Sequence, residues 1–260
     1  MDVLAEGYGL IEGPRVDPEG ALYFSDVTHG GVYRRTVDGT IDVAVPKRRG
    51  VGGIAIHADG GIVVSGRNIC HVLDGESRII FEQEGASFND IYADDRGRIL
   101  AGSLHEAFTE SARTPGELWR IEGEGEATPL YGEVGLSNGI GFSPDGHLLY
   151  HSDSHARQVL VSDVDDDGAV TGRRVFVAFA EGVPDGLAVD VEGGVWVANY
   201  GGGCVNRFAP DGALDRRLDV PVREVTSVCL SGTQAYVATV GTLFRTDAGV
   251  AGLPAPVARV

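Results

Sequence analysis

Lysine is almost absent from this sequence. The 260 residues contain one, Lys47, in the basic stretch Lys47-Arg48-Arg49. Catalysis through a Schiff base or a lysine general base would depend on that one residue, so we set both aside. Positive charge is scarce overall, because 21 Lys and Arg face 38 Asp and Glu and leave a formal net charge of −17. Such a polyanion repels phosphate backbones, so we expect no nucleic-acid partner.

Cysteines and long apolar runs are also few. Cys70, Cys204 and Cys229 are widely spaced, odd in number and not arranged as C-x-x-C, which predicts reduced core thiols and no zinc finger. No run approaches the roughly 18 apolar residues of a membrane span. The N-terminal stretch Met1–Glu6 has neither the basic nor the apolar region of a secretory signal. We predict a cytoplasmic location and no membrane partner.

Glycine, in contrast, is abundant and recurs in a pattern. The chain has 39 glycines, and six of them end a polar turn between two short apolar runs. The turn glycines are 37 to 49 residues apart: Gly20, Gly60, Gly97, Gly146, Gly193 and Gly232. Residues such as the Pro144-Asp145 that precedes Gly146 tolerate tight or left-handed turns. The repeat therefore predicts six β-hairpins.

Six hairpins at this period are typical of a β-propeller, whose blades repeat every ~40–50 residues. No window of 11 or more residues shows a 3.6-residue apolar period, and no linker or low-complexity tract interrupts the chain. We predict an all-β protein: a six-bladed β-propeller with four-stranded blades around a central channel, formed by residues 1–260 as a single domain.

Oxygen-bearing side chains recur at one offset within this repeat. Eight residues before the successive turn glycines stand Glu12, Gly52, Asn89, Asn138, Asp185 and Glu224. In a propeller these positions would lie at one height around the channel, and five of the six carry a carboxylate or an amide. Strand capping or hydrogen bonds to neighbouring loops are the alternative explanation, and the role of Glu224 is open.

A ring of carboxylate and amide oxygens is suited to a hard divalent cation, Ca²⁺ above all. No histidine occupies the offset, which disfavours a nitrogen-rich zinc or iron site. The pattern therefore predicts a metal site at the channel mouth.

The motifs at these positions resemble those of the gluconolactonase, regucalcin and luciferin-regenerating enzyme family. They are Glu12-Gly13-Pro14, Phe88-Asn89-Asp90, Ser137-Asn138-Gly139 and Pro184-Asp185-Gly186. The resemblance implies a six-bladed propeller that hydrolyses lactones with one divalent cation, usually Ca²⁺ but Zn²⁺, Mg²⁺ or Mn²⁺ in some members. By matching motifs it implies that Glu12, Asn138 and Asp185 are the metal ligands, and that Asn89 holds substrate or a metal-bound water.

The chemistry expected at such a site is metal-assisted hydrolysis. The cation polarises the lactone carbonyl, a water attacks it, and Asp185 is the candidate general base that takes the proton of the water. The expected partner is a small-molecule lactone or ester.

Two departures from the family pattern bear on that substrate. Ser87 stands where sugar-lactone hydrolases carry arginine, and Ala107 stands where they carry an acidic residue. We therefore predict a substrate less polar than a sugar lactone, such as an alkyl or aryl lactone or ester. His105, which begins a long connection to Pro115, is a candidate for substrate contact.

Other interpretations stay open at this stage. The same metal site could act on another electrophile, such as a phosphotriester, or the protein could bind a cation or ligand without catalysis. Two formal motif matches are set aside. The G-x-S-x-G at Gly135–Gly139 is followed by a strand and turn where a nucleophile elbow needs a helix. The acidic run Asp163–Gly168 has no flanking helices and no glutamate at position 12 of an EF-hand loop.

Overall fold

The structure is a computed structural model, and it describes residues 1–105 and 114–260. Its regular secondary structure over these residues is entirely β-strand, so the all-β prediction is confirmed. No segment of the described chain forms a helix that could cross a bilayer.

The described residues form 22 strands. The first eight are β1 (Asp2–Val16), β2 (Leu22–Asp26), β3 (Val32–Arg35), β4 (Ile41–Val45), β5 (Ile54–Ile56), β6 (Ile62–Val64), β7 (Ile69–Leu73) and β8 (Glu76–Phe81). The next eight are β9 (Ala86–Ala93), β10 (Ile99–His105), β11 (Gly116–Gly123), β12 (Glu126–Val134), β13 (Ser137–Phe142), β14 (Leu148–Asp153), β15 (Gln158–Val164) and β16 (Val170–Ala178). The remaining six are β17 (Val183–Val189), β18 (Val195–Tyr200), β19 (Cys204–Phe208), β20 (Leu214–Asp219), β21 (Val225–Ser231) and β22 (Gln234–Asp247).

The prediction of six blades was wrong, because the strands of the described residues assemble into five sheets. Four sheets have four strands each, in the orders β5-β6-β7-β8, β9-β10-β11-β12, β13-β14-β15-β16 and β17-β18-β19-β20. The fifth has six strands, in the order β21-β22-β1-β2-β3-β4. The described residues therefore form five blade-like sheets, and the four-stranded blade is confirmed for four of them.

The cause is the length of β1. This 15-residue strand lies between β22 and β2, so it joins the last hairpin of the chain to the first one in a continuous sheet. Its first half pairs antiparallel with β22, from Asp2 opposite Arg245 to Leu10 opposite Val240. A repeat count cannot detect this pairing, because its partners are more than 200 residues apart in sequence.

The local part of the repeat is confirmed. All six turn glycines adopt a positive φ, between +53° and +94°, which favours glycine because it has no Cβ. The hairpin strands pair antiparallel, for example Leu187 opposite Val197 and Val228 opposite Val237. The three cysteines are buried and form no disulfide, as predicted.

The described chain divides into two compact units, while the prediction of a single domain over residues 1–260 stays a prediction. Unit 1 comprises Met1–Pro14 and Asn138–Pro254, and unit 2 comprises Arg15–Ser137 and Ala255–Val260. Unit 1 contains an apolar cluster around Trp196 and Val228 and another around Tyr150. Unit 2 contains one around Phe88 and Ile99 and another around Ile54.

The C-terminal segment completes the core of unit 2. Ala258 is fully buried and bridges His57 in parallel, with its N–H donating to the Ile56 carbonyl at 2.7 Å. Val260 lies in the same apolar cluster as Phe88. The segment therefore acts as a short additional strand for this unit.

We expect Ala258→Val to destabilise the protein by about 1–3 kcal/mol, because the added methyl groups enter a close-packed core. Ala255→Val is the matched control, since Ala255 is exposed three residues earlier in the same segment. Urea unfolding measures both. Equal midpoints for the two variants would contradict the role assigned to this segment.

Candidate metal and catalytic site

The three predicted metal ligands belong to the same compact unit and are all buried. Glu12 lies on β1, Asn138 on β13 and Asp185 on β17, with exposed fractions of 8%, 8% and 7%. Burying two carboxylates in one region is unfavourable unless a positive charge or hydrogen bonds compensate them. The position of these acids therefore points to a functional role.

The amide of Asn138 has a defined orientation. Its Nδ2 donates to the Ser154 Oγ at 2.7 Å, and that hydroxyl in turn donates to the Pro184 carbonyl at 2.5 Å. Ser154 thus connects the Asn138 segment to the residue that precedes Asp185. Because the nitrogen end faces Ser154, the amide oxygen is the opposite end of the group, which is the end that a cation requires.

A β-bulge sets the direction of Asp185. Pro184 pairs with Asn199 and Leu187 pairs with Val197, so two residues of β17 face one residue of β18. Such an extra residue bends the strand and re-aims a side chain, and bulges recur beside active sites. Strand β9 has the same irregularity, with Phe88 opposite Ser103 and Ile91 opposite Ala101, so Asn89 lies in a bulge as well.

The glycines that follow two of these residues are required by packing. A Cβ added to Gly139 would lie 2.8 Å from the Asp185 carbonyl oxygen, and one added to Gly186 would lie 2.7 Å from the Ser227 Cα. Neither glycine has a positive φ, so the cause is the close approach of neighbouring strands. The motifs Asn-Gly and Asp-Gly therefore allow β13, β17 and β21 to approach closely beside the candidate ligands.

We expect Gly186→Ala to lower stability by about 1–3 kcal/mol and to displace Asp185, because the new methyl group forces β17 away from Ser227. Gly132→Ala is the control, since a Cβ there would meet nothing closer than the Glu117 Cγ at 3.8 Å. Urea unfolding and calcium titration calorimetry measure the two effects. A Gly186→Ala protein with wild-type stability and calcium affinity would refute the packing argument.

Three carboxylates of unit 1 raise the pKa of the same tyrosine. Burial raises the pKa of Tyr200 above its ordinary value, and the negative charges of Glu224, Asp185 and Glu12 raise it further. Three acids that act on the same phenol lie in the same electrostatic environment. This places Glu224 in the neighbourhood of the predicted ligands.

The donor set is compatible with a hard divalent cation. Two carboxylates and an amide oxygen, completed by water, are the ligands that Ca²⁺ takes in proteins. Within residues 1–105 and 114–260, no three Asp, Glu, His or Cys side chains form a metal-binding group. A cation here would therefore need the Asn138 amide in addition to Glu12 and Asp185, and Glu224 does not complete a three-carboxylate site with them.

The remaining predicted site residues belong to unit 2. Asn89 is half-buried on β9, and its Nδ2 donates to the Ser137 carbonyl at 2.8 Å. Gly52 makes room for it, since a Cβ at that position would lie 3.0 Å from the Asn89 Cγ. Gly52, which alone among the six offset positions carries no oxygen-bearing side chain, is therefore explained by the asparagine beside it.

Asp90, the residue after Asn89, forms a buried ion pair with Arg15. Burial raises the pKa of Asp90 to about 6, although the positive charge of Arg15 opposes the shift from 3.8 Å away. Arg15 also donates to the Ile91 carbonyl at 3.3 Å and lies over the Tyr92 ring. These contacts hold the bulge of β9 in a fixed conformation.

Ser87 and His105 do not lie on the same face of the sheet. Ser87 pairs with Leu104 and donates to its carbonyl at 3.5 Å, whereas His105 pairs with Ala86. Since side chains alternate along a strand, His105 leaves the β9–β10 pair on the face opposite to Ser87. Ala107 lies outside the described residues.

Two residues of this region were not found by sequence reasoning. Ser154 and Tyr200 occupy no repeated offset and received no predicted role, so only their contacts reveal them. A cavity of about 340 Å³ in unit 2 is lined by residues that include Asp17, Tyr23 and His57, and none of the predicted site residues lines it.

This chain is similar in sequence to two lactonases and in structure to a calcium-binding protein. A pentonolactonase, XacC, of Haloferax volcanii is 35% identical and aligns over 89% of this chain and 82% of its own length. A 6-deoxy-6-sulfogluconolactonase of Pseudomonas putida is 33% identical over 82% of this chain and 76% of its own. The crystal structure of a calcium-binding protein, regucalcin, from Agrobacterium tumefaciens superposes with a TM-score of 0.86 at 22% identity, covering 99% of this chain and 97% of that one.

At 22% identity the structural likeness shows a similar fold alone. The sequence matches at 35% and 33% identity show common ancestry. The family profile described as the SMP-30/Gluconolactonase/LRE-like region matches residues 10–241, which include the candidate ligands Glu12, Asn138 and Asp185. This chain belongs to the SMP-30/gluconolactonase/LRE-like family.

Proposed function

We propose that this protein is a lactonase that depends on a divalent metal ion. The observation that carries the proposal is the set of two buried carboxylates and one oriented amide on β1, β13 and β17 of unit 1. Membership of a family with relatives named as lactonases supports the reaction class. The calcium-binding protein of similar fold supports Ca²⁺ as the first cation to test.

Glu12, Asn138 and Asp185 would hold the metal. When bound, a divalent cation supplies Lewis acidity toward the lactone carbonyl and lowers the pKa of water. Ser154 keeps the Asn138 amide in one orientation by accepting from its Nδ2. The bulge and the close approach at Gly186 keep Asp185 in place, so the site is organised before substrate arrives.

Asp185 moves the proton in the proposed reaction. The oxygen of a water forms a bond to the carbonyl carbon while the Asp185 carboxylate accepts a proton from that water. The ring C–O bond then breaks, and Asp185 returns the proton to the departing ring oxygen. The product is the open-chain hydroxy acid, and the carboxylate of Asp185 is regenerated. Such general acid–base catalysis contributes ~10²–10⁴-fold.

The substrate is proposed to be less polar than a sugar lactone, with Asn89, Ser87 and His105 as substrate-contacting candidates. Replacement of the arginine of the family pattern by Ser87 supports this, because the short hydroxyl already donates to the Leu104 carbonyl. The names of the two relatives indicate sugar-derived lactones as the direct alternative. The protein is further proposed to act in the cytoplasm on this small molecule.

The test is lactone hydrolysis followed by proton release. Metal-stripped protein is assayed on sugar, alkyl and aryl lactones and on a phosphotriester, with and without Ca²⁺, Mn²⁺ or Zn²⁺. We expect no turnover without metal, restored turnover with Ca²⁺, and preference for the alkyl or aryl rings. Higher turnover of the sugar lactones would refute the proposal of a less polar substrate. Tight calcium binding without any turnover would refute the proposal that the protein is an enzyme.

A further inference from the structure

Tyr200 is an exposed aromatic at the end of a buried strand. The preceding residues of β18, from Val195 to Asn199, are all buried, whereas Tyr200 is 37% exposed. An aromatic ring that is left partly in solvent after such a strand has no evident packing role. The Tyr200 hydroxyl is the polar group at the end of β18.

Strand register places this ring beside two acids of unit 1. Tyr200 pairs with Val183, and Asp185 follows two residues later on β17, where the bulge begins. Such a diagonal neighbour lies roughly 7–8 Å away between backbones, within reach of an aromatic side chain. Tyr200 also forms an antiparallel bridge with Glu224, so its backbone is adjacent to that residue.

The charge of this environment keeps the phenol protonated. Burial and the negative charges of Glu224, Asp185 and Glu12 raise the pKa of Tyr200. A protonated phenol can donate a hydrogen bond to an oxygen on which negative charge develops. Among these side chains the carboxylates can only accept, which makes the phenol the natural donor.

We propose that Tyr200 is a catalytic residue whose hydroxyl donates a hydrogen bond to the lactone carbonyl oxygen as that oxygen becomes negative. The proposal rests on the proposed lactonase function. It also assigns a role to Glu224, which positions the phenol through the strand bridge.

Kinetics of Tyr200→Phe test the inference. The variant keeps the ring and removes the hydroxyl, so we expect kcat to fall on the order of 10²-fold with KM and calcium affinity near wild type. Tyr23→Phe is the matched control, because Tyr23 is half-buried in unit 2 and lies beside Arg34. Wild-type kcat in Tyr200→Phe, or an equal loss in Tyr23→Phe, would overturn the proposal.

A second readout does not need turnover. The tyrosinate absorbance that wild type has and Tyr200→Phe lacks reports the ionisation of Tyr200. In metal-free protein we expect this ionisation at a lower pH in Asp185→Asn and in Glu224→Gln than in wild type, and calcium should lower it in wild type. An ionisation that neither substitution shifts would overturn the inference about Tyr200. Inactivity of the wild-type protein on the whole lactone panel would instead overturn the proposed function. The titration would then still test whether Asp185 and Glu224 act on the Tyr200 phenol.

Discussion

Replacing Asp185 with asparagine should lower kcat by ~10²–10⁴-fold at saturating metal, because the side chain keeps its size and one ligand oxygen but can no longer accept a proton. The measurement is lactone hydrolysis by proton release over a range of calcium concentrations. Calcium affinity, measured by calorimetry, should also fall, since the charge of one proposed ligand is lost.

The chain offers a matched control for this substitution. Asp211 lies in another Pro-Asp-Gly sequence but is exposed in a turn, where it accepts from the Ala213 N–H at 3.0 Å. Asp211→Asn should retain wild-type kcat. Asn138→Ala separates binding from proton transfer, because it should weaken calcium binding yet recover turnover when calcium saturates the site. A wild-type kcat for Asp185→Asn at saturating calcium would refute the assignment of Asp185 as the general base.

Replacing Arg207 with methionine should destabilise the protein by about 3–5 kcal/mol, because it leaves a buried carboxylate without its compensating charge. The Arg207 Nε donates to the fully buried Asp190 at 2.7 Å, and Trp196 donates to the same oxygen at 2.8 Å. The other oxygen accepts from the Gly194 N–H at 2.8 Å. Burial opposes ionisation of Asp190, but these donors outweigh it and lower its pKa.

Urea unfolding at neutral pH measures the effect. Arg174→Met is the control, because its pair with Asp163 is half in solvent and should contribute less than about 1 kcal/mol. The double variant Asp190→Asn, Arg207→Met should recover part of the loss, since no charge then remains buried. A loss in Arg207→Met no larger than in Arg174→Met would contradict the cost assigned to the unpaired buried charge of Asp190.

The recurring oxygen-bearing positions could be found without a structure because they depend on local periodicity. A hairpin repeats its turn glycine and its strand register together, so a fixed offset from the glycine identifies equivalent positions in successive copies. Glu12, Asn89, Asn138, Asp185 and Glu224 emerged in this way, and the family resemblance then singled out Glu12, Asn138 and Asp185 as the predicted ligands. The offset also returned Gly52, whose role became clear only when the Asn89 side chain was seen beside it.

The number of sheets could not be predicted in the same manner. Six hairpins are a property of six local segments, but whether two of them merge depends on hydrogen bonds between distant parts of the chain. The pairing of β1 with β22 is such a case. Ser154 and Tyr200 were missed for a related reason, since neither shares an offset with the repeat and each reaches its partner through tertiary contacts.

Sequence alone determined the all-β class, the six hairpin turns and the recurring oxygen-bearing offset, because turn chemistry and strand alternation act over a few residues. Tertiary structure decided that the described residues form five sheets, that Ser154 orients the Asn138 amide, and that Gly139 and Gly186 are required by close strand approach. These features depend on packing between segments that are remote in the chain, and packing at that range leaves no periodic trace in the amino-acid order.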